Sequence, residues 1–389
     1  MSNSSIYPNA REVARALQPS YPVYCLSPAT LAHTANRFLT GFPGRVLYAV
    51  KCNPHPRVLS TLYEAGIRHF DTASLPEIAQ VREAHRDAET YFMHPVKARA
   101  VVRTAYEVYG VRQFVIDHPA ELDKVLEVTG GEGIVVHVRV KTPEAKAFYD
   151  LASKFGAPPE QAGELLKAVR SAGLRCGLAF HVGSQCMTTD AYRQALTIVG
   201  DVVKQAGSDI DFLDVGGGFP AQYPGEELPS LEDYFSVLID GVKDLGVRND
   251  CVLMCEPGRA MVADACSLLV QVLLRKESEI YINDGIYGSL AEIVITKMRL
   301  PVRLIRLDGE YSDTNQAFTV YGPTCDSLDV LPHPFELPDD VREGDWLEIG
   351  QIGAYSNAAA TRFNGFYPET FVDVEQTFTI TQSTPSSTA

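Results

Sequence analysis

Short apolar runs alternate along the chain with longer amphipathic stretches. "PVYCLS" precedes "PATLAHTANRFLTG", and "RVLYAVKCN" precedes "PHPRVLSTLYEAG". The alternation returns with "HFDTAS", "TYFMHPVK", "QFVIDH", "GIVVHVRV", "CGLAFHVGS" and "DFLDVGGGFP", and "CVLMCEPG" closes it. Asp, Ser and Thr stand near the starts of the amphipathic segments and Gly near several of their ends, as helix caps do. Strands that are continuously apolar are covered on both faces, which is the signature of a parallel sheet. About eight such units in residues 23–267 predict a closed (β/α)8 barrel of the TIM type. A doubly wound open sheet is the rival.

The texture changes after residue 268. "SLLVQVLLRK", "EIYINDG", "VRLIRL", "AFTVYGP" and "DWLEIG" are strand-like runs with turns between them. They predict a mostly β domain over residues 268–375, joined by residues 1–22. Residues 376–389, ending "TQSTPSSTA", read as a disordered tail.

Composition narrows the functional classes. The chain has 389 residues and a formal net charge of −15. An acidic surface argues against nucleic acid or anionic membranes as partners. No stretch approaches the ~20 apolar residues of a membrane helix, and the N-terminus lacks the apolar core of a signal peptide. The eight cysteines include no CxxC pair. Reduced thiols in a cytoplasm are therefore expected, with no metal site.

In a parallel barrel, functional groups sit where strands end. Those ends carry Lys51, Asp71, His94, Arg139, His181 with Ser184, Gly216 to Gly218, and Glu256 with Arg259. Lys51 reads either as a lysine snorkelling at a strand exit or as an amine held for Schiff-base chemistry. The three glycines are either a flexible turn or a backbone approach to an anion. "CEPGRAM" allows a local Glu256–Arg259 ion pair, or a carboxylate facing a cationic ring nitrogen and a guanidinium facing an anion. His181 and Ser184 taken alone are a buried histidine and a cap. Cys325 and Asp326 follow a Gly-Pro turn in the β domain.

"YAVKCN", "FDTAS", "FHVGSQ", "DVGGGFP", "EPGRAMV", "NDGIYGS", "GPTCDSLD" and "GAYSNAAATRFNGF" occur in this order over residues 48–366. Together they resemble the pyridoxal-phosphate decarboxylases of the alanine-racemase-like fold, which include ornithine and diaminopimelate decarboxylases. "GPTCDSLD" is nearer the ornithine/lysine branch, whose enzymes serve polyamine biosynthesis. The resemblance implies the cofactor pyridoxal 5'-phosphate, bound as a Schiff base on Lys51. Glu256 would meet the pyridine nitrogen and His181 the ring face. Ser184, Gly217, Gly218, Gly258, Arg259 and Tyr355 would hold the phosphate end, and Asp71 and Arg139 would shape the site. Cys325, from the second subunit of a homodimer, would protonate Cα, with Asp326 on the distal amine of the substrate.

One stretch departs from the family. Its ornithine branch has a second acid where this chain has Thr296, and Ile295 replaces an aromatic residue. Glu292 is the candidate substitute, unless it faces solvent. Lys297 and Arg299 would suit a distal carboxylate. The implied activity is decarboxylation of a basic amino acid of the ornithine/lysine class. The alternatives are a substrate with a distal carboxylate, such as meso-diaminopimelate or carboxynorspermidine, and a non-catalytic regulator.

Overall fold

In the computed structural model, residues 6–143 and 154–380 are described. The chain divides into two compact units. One comprises residues 35–220 and 228–259. The other comprises residues 1–34, 221–227 and 260–389.

Strand β1 (Val23–Leu26) belongs to the second of these units. It pairs antiparallel with β10 (Cys266–Lys276) and parallel with β16 (Thr370–Asp373). "PVYCLS" is therefore not a barrel strand. The expected barrel of residues 23–267 shrinks at both ends, because β1 and the start of β10 complete each other's ladder.

Eight strands close the barrel. They are β2 (Arg45–Ala49), β3 (His69–Thr72), β4 (Glu89–Phe92), β5 (Gln113–Ile116), β6 (Val135–Arg139), β7 (Arg175–Ala179), β8 (Phe212–Asp214) and β9 (Val252–Cys255). Every neighbouring pair is parallel, and β2 returns to β9 through Arg45↔Met254. The (β/α)8 expectation holds, and the open sheet is excluded. Leu47, Tyr91, Val115, Phe212 and Met254 pack together as a barrel core. Two of the intervening helices begin on the serine caps expected, whereas Ala98, Pro158 and Thr189 make no side-chain cap bond. Ser74 Oγ accepts from Glu77 N at the start of Leu75–Ala84, and Ser230 with Asp233 forms a full capping box before Leu231–Asp244.

The second unit is built on an eight-stranded sheet. Its further strands are β11 (Glu279–Ile282), β12 (Val302–Ile305), β13 (Asn315–Tyr321), β14 (Phe335–Pro338) and β15 (Trp346–Ile349). They run in the order β12-β15-β10-β11-β13-β14, with β1 on β10 and β16 on β1. Val23, Cys25, Leu269 and Trp346 close one core with the N-terminal helix Ala10–Leu17. Residues 376–380 are not a loose tail. Phe378 is buried, and Thr377 Oγ1 donates to Asp264 O. Residues 381–389 of the expected tail lie outside the described residues.

Candidate active site

The C-terminal rim of the barrel gathers most of the residues singled out in the sequence. Strand β2 stops at Ala49, and a single 3-10 turn, Val50–Cys52, carries Lys51. Ala49 N donates to Pro257 O, which ties this turn to the segment after β9. Lys51 Nζ donates to Asp71 Oδ2 at 2.6 Å. The lysine side chain is 40% exposed and that of Asp71 only 2%. The amine therefore faces an opening, and its counter-charge lies inside the wall. Snorkelling alone does not give this geometry, since a snorkelling head group turns to water.

Three carboxylates stand together here. Glu256 follows β9 directly and Asp214 ends β8. Burial drives Glu256 well above the usual carboxylate range, and Asp214 and Asp71 push it further; Lys51 and Arg139 pull it back. Burial likewise pushes Asp214 up to about 6, although it accepts Gly216 N at 2.9 Å. A buried cluster with surplus negative charge stabilises a cation. Arg139, the last residue of β6, faces the same acids, while burial pulls it down. His181 accepts Gly183 N on Nδ1 at 3.0 Å. Burial holds it well below the ordinary histidine value, and Arg139 and Lys51 add to this, so the ring is neutral.

The glycine run is sterically compulsory. A Cβ on Gly216 would lie 2.1 Å from Phe180 O, and one on Gly217 2.6 Å from Glu256 O. Gly218 has φ +106°, and its Cβ would lie 2.6 Å from Gly183 O. Beside this turn, Arg259 donates from Nη2 to Ser184 Oγ at 3.2 Å. Arg259 is buried and Ser184 partly so. A Cβ on Gly258 would press within 3.0 Å of Cys52 Cβ, which brings the Arg259 turn close to the Lys51 turn. A buried guanidinium, a hydroxyl and a bare backbone turn suit a phosphate. An amine, a surplus of buried carboxylate and a neutral imidazole suit an aldehyde-bearing cationic ring. The rim thus fits pyridoxal phosphate.

His94 borders this group through Phe155, which also lies under Arg139 at 5.6 Å. Its Nδ1 accepts Val96 N, and its ring meets Phe155 edge-on at 5.3 Å. Asp214 and Glu77 are site residues that the sequence reading passed over. Glu77 Oε2 accepts Ala73 N at 2.7 Å, and burial raises its carboxyl, with Asp71 adding to it and Lys51 opposing. Asp214 had a signal in "LDVGGG", an acid directly before the glycine turn. Glu77 looked like an ordinary first-turn helix acid.

The other expected residues belong to the sheet-based unit. Cys325 is the one fully exposed cysteine of the eight. Asp326 Oδ2 accepts the Tyr287 hydroxyl at 2.5 Å, which holds its carboxyl below the usual range. Tyr355 has a left-handed backbone, φ 55°. An aromatic residue in that region stores strain, which functional sites retain more often than others. Thr296 ends the short helix Ile293–Thr296, and its hydroxyl donates back to Glu292 O at 3.1 Å. Glu292 is buried, so it does not face solvent. Lys297 and Arg299 are exposed.

Known proteins match this chain along most of its length. The family model "Pyridoxal-dependent decarboxylase, pyridoxal binding domain" matches residues 29–263. The lysine/ornithine decarboxylase of Selenomonas ruminantium is 36% identical, covering 83% of this chain and 81% of that protein. Antizyme inhibitor 2 of Xenopus laevis is 32% identical over 85% of this chain and 76% of its own. The arginine decarboxylase of Paramecium bursaria Chlorella virus, solved bound to agmatine, superposes with a TM-score of 0.83 at 27% identity, covering 93% of this chain and 99% of that one. With the family model spanning more than half of the chain, and a relative of this identity covering most of it, the chain belongs to the pyridoxal-dependent decarboxylases of the ornithine/lysine/arginine group.

Proposed function

We propose that the protein removes the α-carboxyl group of a basic amino acid of the ornithine/lysine class and releases the diamine. The observation that carries the reading is Lys51 Nζ at 2.6 Å from buried Asp71, on one rim with Glu256 and the Arg259–Ser184 pair. Pyridoxal 5'-phosphate, when bound, supplies a ring that takes up the electron pair left as CO2 departs.

The residues divide the work. Lys51 would hold the cofactor by its aldehyde carbon and would yield that carbon to the α-amine of the substrate, leaving its own amine free beside Asp71. Glu256, backed by Asp71 and Asp214, would keep a pyridine nitrogen protonated. Neutral His181 would meet the ring without adding charge. Arg259, Ser184, Gly217, Gly218, Gly258 and Tyr355 hold the phosphate end, and Arg139 shapes the wall. The chain acts as a homodimer. Cys325 of the partner subunit returns a proton to Cα, and Asp326 of the partner subunit receives the distal ammonium. A cytoplasmic setting fits eight free cysteines. Among the described residues, no helix is long and apolar enough to cross a membrane.

A second reading, a substrate with a distal carboxylate, draws on Thr296. Its hydroxyl is turned to Glu292 O, and Lys297 and Arg299 are exposed beside it. One experiment separates the readings: CO2 release from ornithine, lysine, arginine, meso-diaminopimelate, carboxynorspermidine and glutamate. Turnover of ornithine or lysine is expected. Turnover confined to meso-diaminopimelate or carboxynorspermidine establishes the second reading instead. Sedimentation tests the dimer.

A further inference from the structure

The turn that bears Cys325 and Asp326 is stapled by a buried carboxylate. Asp329 Oδ1 accepts Ile286 N at 3.0 Å. Its Oδ2 accepts Thr324 N at 3.0 Å and Thr324 Oγ1 at 2.7 Å. Glycines make room for it: a Cβ on Gly285 or on Gly322 would lie 2.2 Å from Asp329 Oδ1. One carboxylate thus joins the turn at residues 285–288 to the turn at residues 322–329.

Tyr287 rides on the first turn and reaches the second. Its hydroxyl donates to Asp326 Oδ2 at 2.5 Å, while Leu328 N donates to Oδ1 at 3.0 Å. A third segment locks the tyrosine. Its ring packs on Phe363 at 4.8 Å, and its carbonyl accepts Thr361 N at 2.8 Å and Thr361 Oγ1 at 2.9 Å. From the same segment, Asn364 Oδ1 accepts Cys325 N at 3.1 Å. Asn364 has φ 51°, a conformation that asparagine tolerates better than most residues. Cys325 is thus held by its backbone and Asp326 by its side chain.

A partly exposed carboxylate such as Asp326 otherwise has several rotamers, and ordering it opposes binding. A charge-assisted O–H···O⁻ bond orders it beforehand. Thr296 offers no second anion, since a hydroxyl is uncharged, and its proton is turned to Glu292 O. We propose that Tyr287 is a specificity-determining positioning residue, which fixes the Asp326 carboxylate for the distal cationic group of the substrate. The inference rests on the reading that Asp326 meets that group.

The test uses Tyr287→Phe and Asp326→Asn in the holoenzyme. Tyr287→Phe keeps the ring against Phe363 and deletes only the donor. KM for lysine and ornithine is measured with kcat, and the Kd of pentane-1,5-diamine by calorimetry. The alkylation rate of Cys325 by iodoacetamide in the apoprotein reports whether the turn is intact. Tyr287→Phe is expected to raise KM and the diamine Kd roughly tenfold, with kcat within about twofold and the alkylation rate unchanged. Unchanged KM and Kd in Tyr287→Phe, where Asp326→Asn raises both, overturn the proposal. A loss confined to kcat, or faster alkylation of Cys325, also overturns it, because the hydroxyl then serves the chemistry or the fold of the turn. If Asp326→Asn leaves KM and Kd untouched, Asp326 does not meet the substrate, and both the reading and this inference fall.

Discussion

Gly217→Ala tests the glycine turn with one methyl group. The φ of Gly217 lies outside the left-handed region, so alanine adopts its backbone without strain. The added Cβ has no room: it would lie 2.6 Å from Glu256 O and 3.0 Å from His181 Nε2. Ordinary contact begins at 3.4 Å, so relief requires a shift of roughly 0.8 Å (3.4 − 2.6). That oxygen is backbone, and Glu256 N is itself tied to Gly216 O at 2.9 Å. The turn and the Glu256 segment must separate together. Overpacking of this kind costs about 1–3 kcal/mol. A displacement near 1 Å at a binding rim costs up to about a hundredfold in function. Urea unfolding is expected to show that loss of stability. A pyridoxal phosphate titration, followed by the visible absorbance of the bound cofactor, is expected to show a Kd raised at least roughly tenfold. Gly110→Ala is the control. It has φ +68° with nothing within 4 Å of its Cβ, so it bears a backbone cost of about 1 kcal/mol and no steric one. Its cofactor affinity should match the parent. A Gly217→Ala protein within about 0.5 kcal/mol of the parent, with unchanged Kd, refutes the steric reasoning.

Three further outcomes follow from the same groups. Asp214 and Glu256 have folded-state pKa values raised by burial, Asp214 to about 6 from 3.8. Carboxyl groups raised on folding add stability that is full below the unfolded value and lost as pH rises through the folded one. The apoprotein should therefore gain stability from this pair as pH falls from 6 toward 4, and Asp214→Asn combined with Glu256→Gln should abolish that gain in urea melts; an equal gain in the double variant contradicts it. Burial keeps His181 neutral, so kcat/KM between pH 6 and 8 should carry no limb from this residue; a limb that vanishes in His181→Asn counts against a neutral ring. Asp329→Ala should cost about 3 kcal/mol by orphaning Ile286 N and Thr324 N, and should speed alkylation of Cys325, as read by mass spectrometry; an unchanged alkylation rate denies Asp329 its stapling role.

The barrel was legible because its strands are covered on both faces and so are mostly apolar, with few interruptions such as His137. The same logic misassigned β1. "VYCL" is wholly buried, as a barrel strand would be, but its partners are Leu269 and Phe371, remote in sequence. Periodicity reports burial, and pairing is a tertiary choice. Strands β14 and β16 were missed for the opposite reason, being short and only partly apolar. On the rim, strand ends pointed to Lys51, Asp71, Arg139, Glu256 and the glycines. They did not point to Tyr287 or Asp329, whose significance depends on three separate turns meeting.

The comparisons make the chain a pyridoxal-dependent decarboxylase, although a relative named as an antizyme inhibitor, a regulator, is 32% identical over 85% of this chain. Energetics separates enzyme from regulator better. Burying Asp71, Asp214 and Glu256 side by side is unfavourable, and the rise in two of their pKa values is the measure of it. A chain that needs only its outer surface gains nothing from that arrangement, and replacing such a cluster with apolar groups is often neutral or stabilising. Retaining it is justified when a bound cation offsets the repulsion. The distinction is measurable without turnover: pyridoxal phosphate should raise the unfolding temperature of the parent, and raise it less in Glu256→Gln. Equal stabilisation of both proteins removes the energetic argument for a cofactor nitrogen at this site.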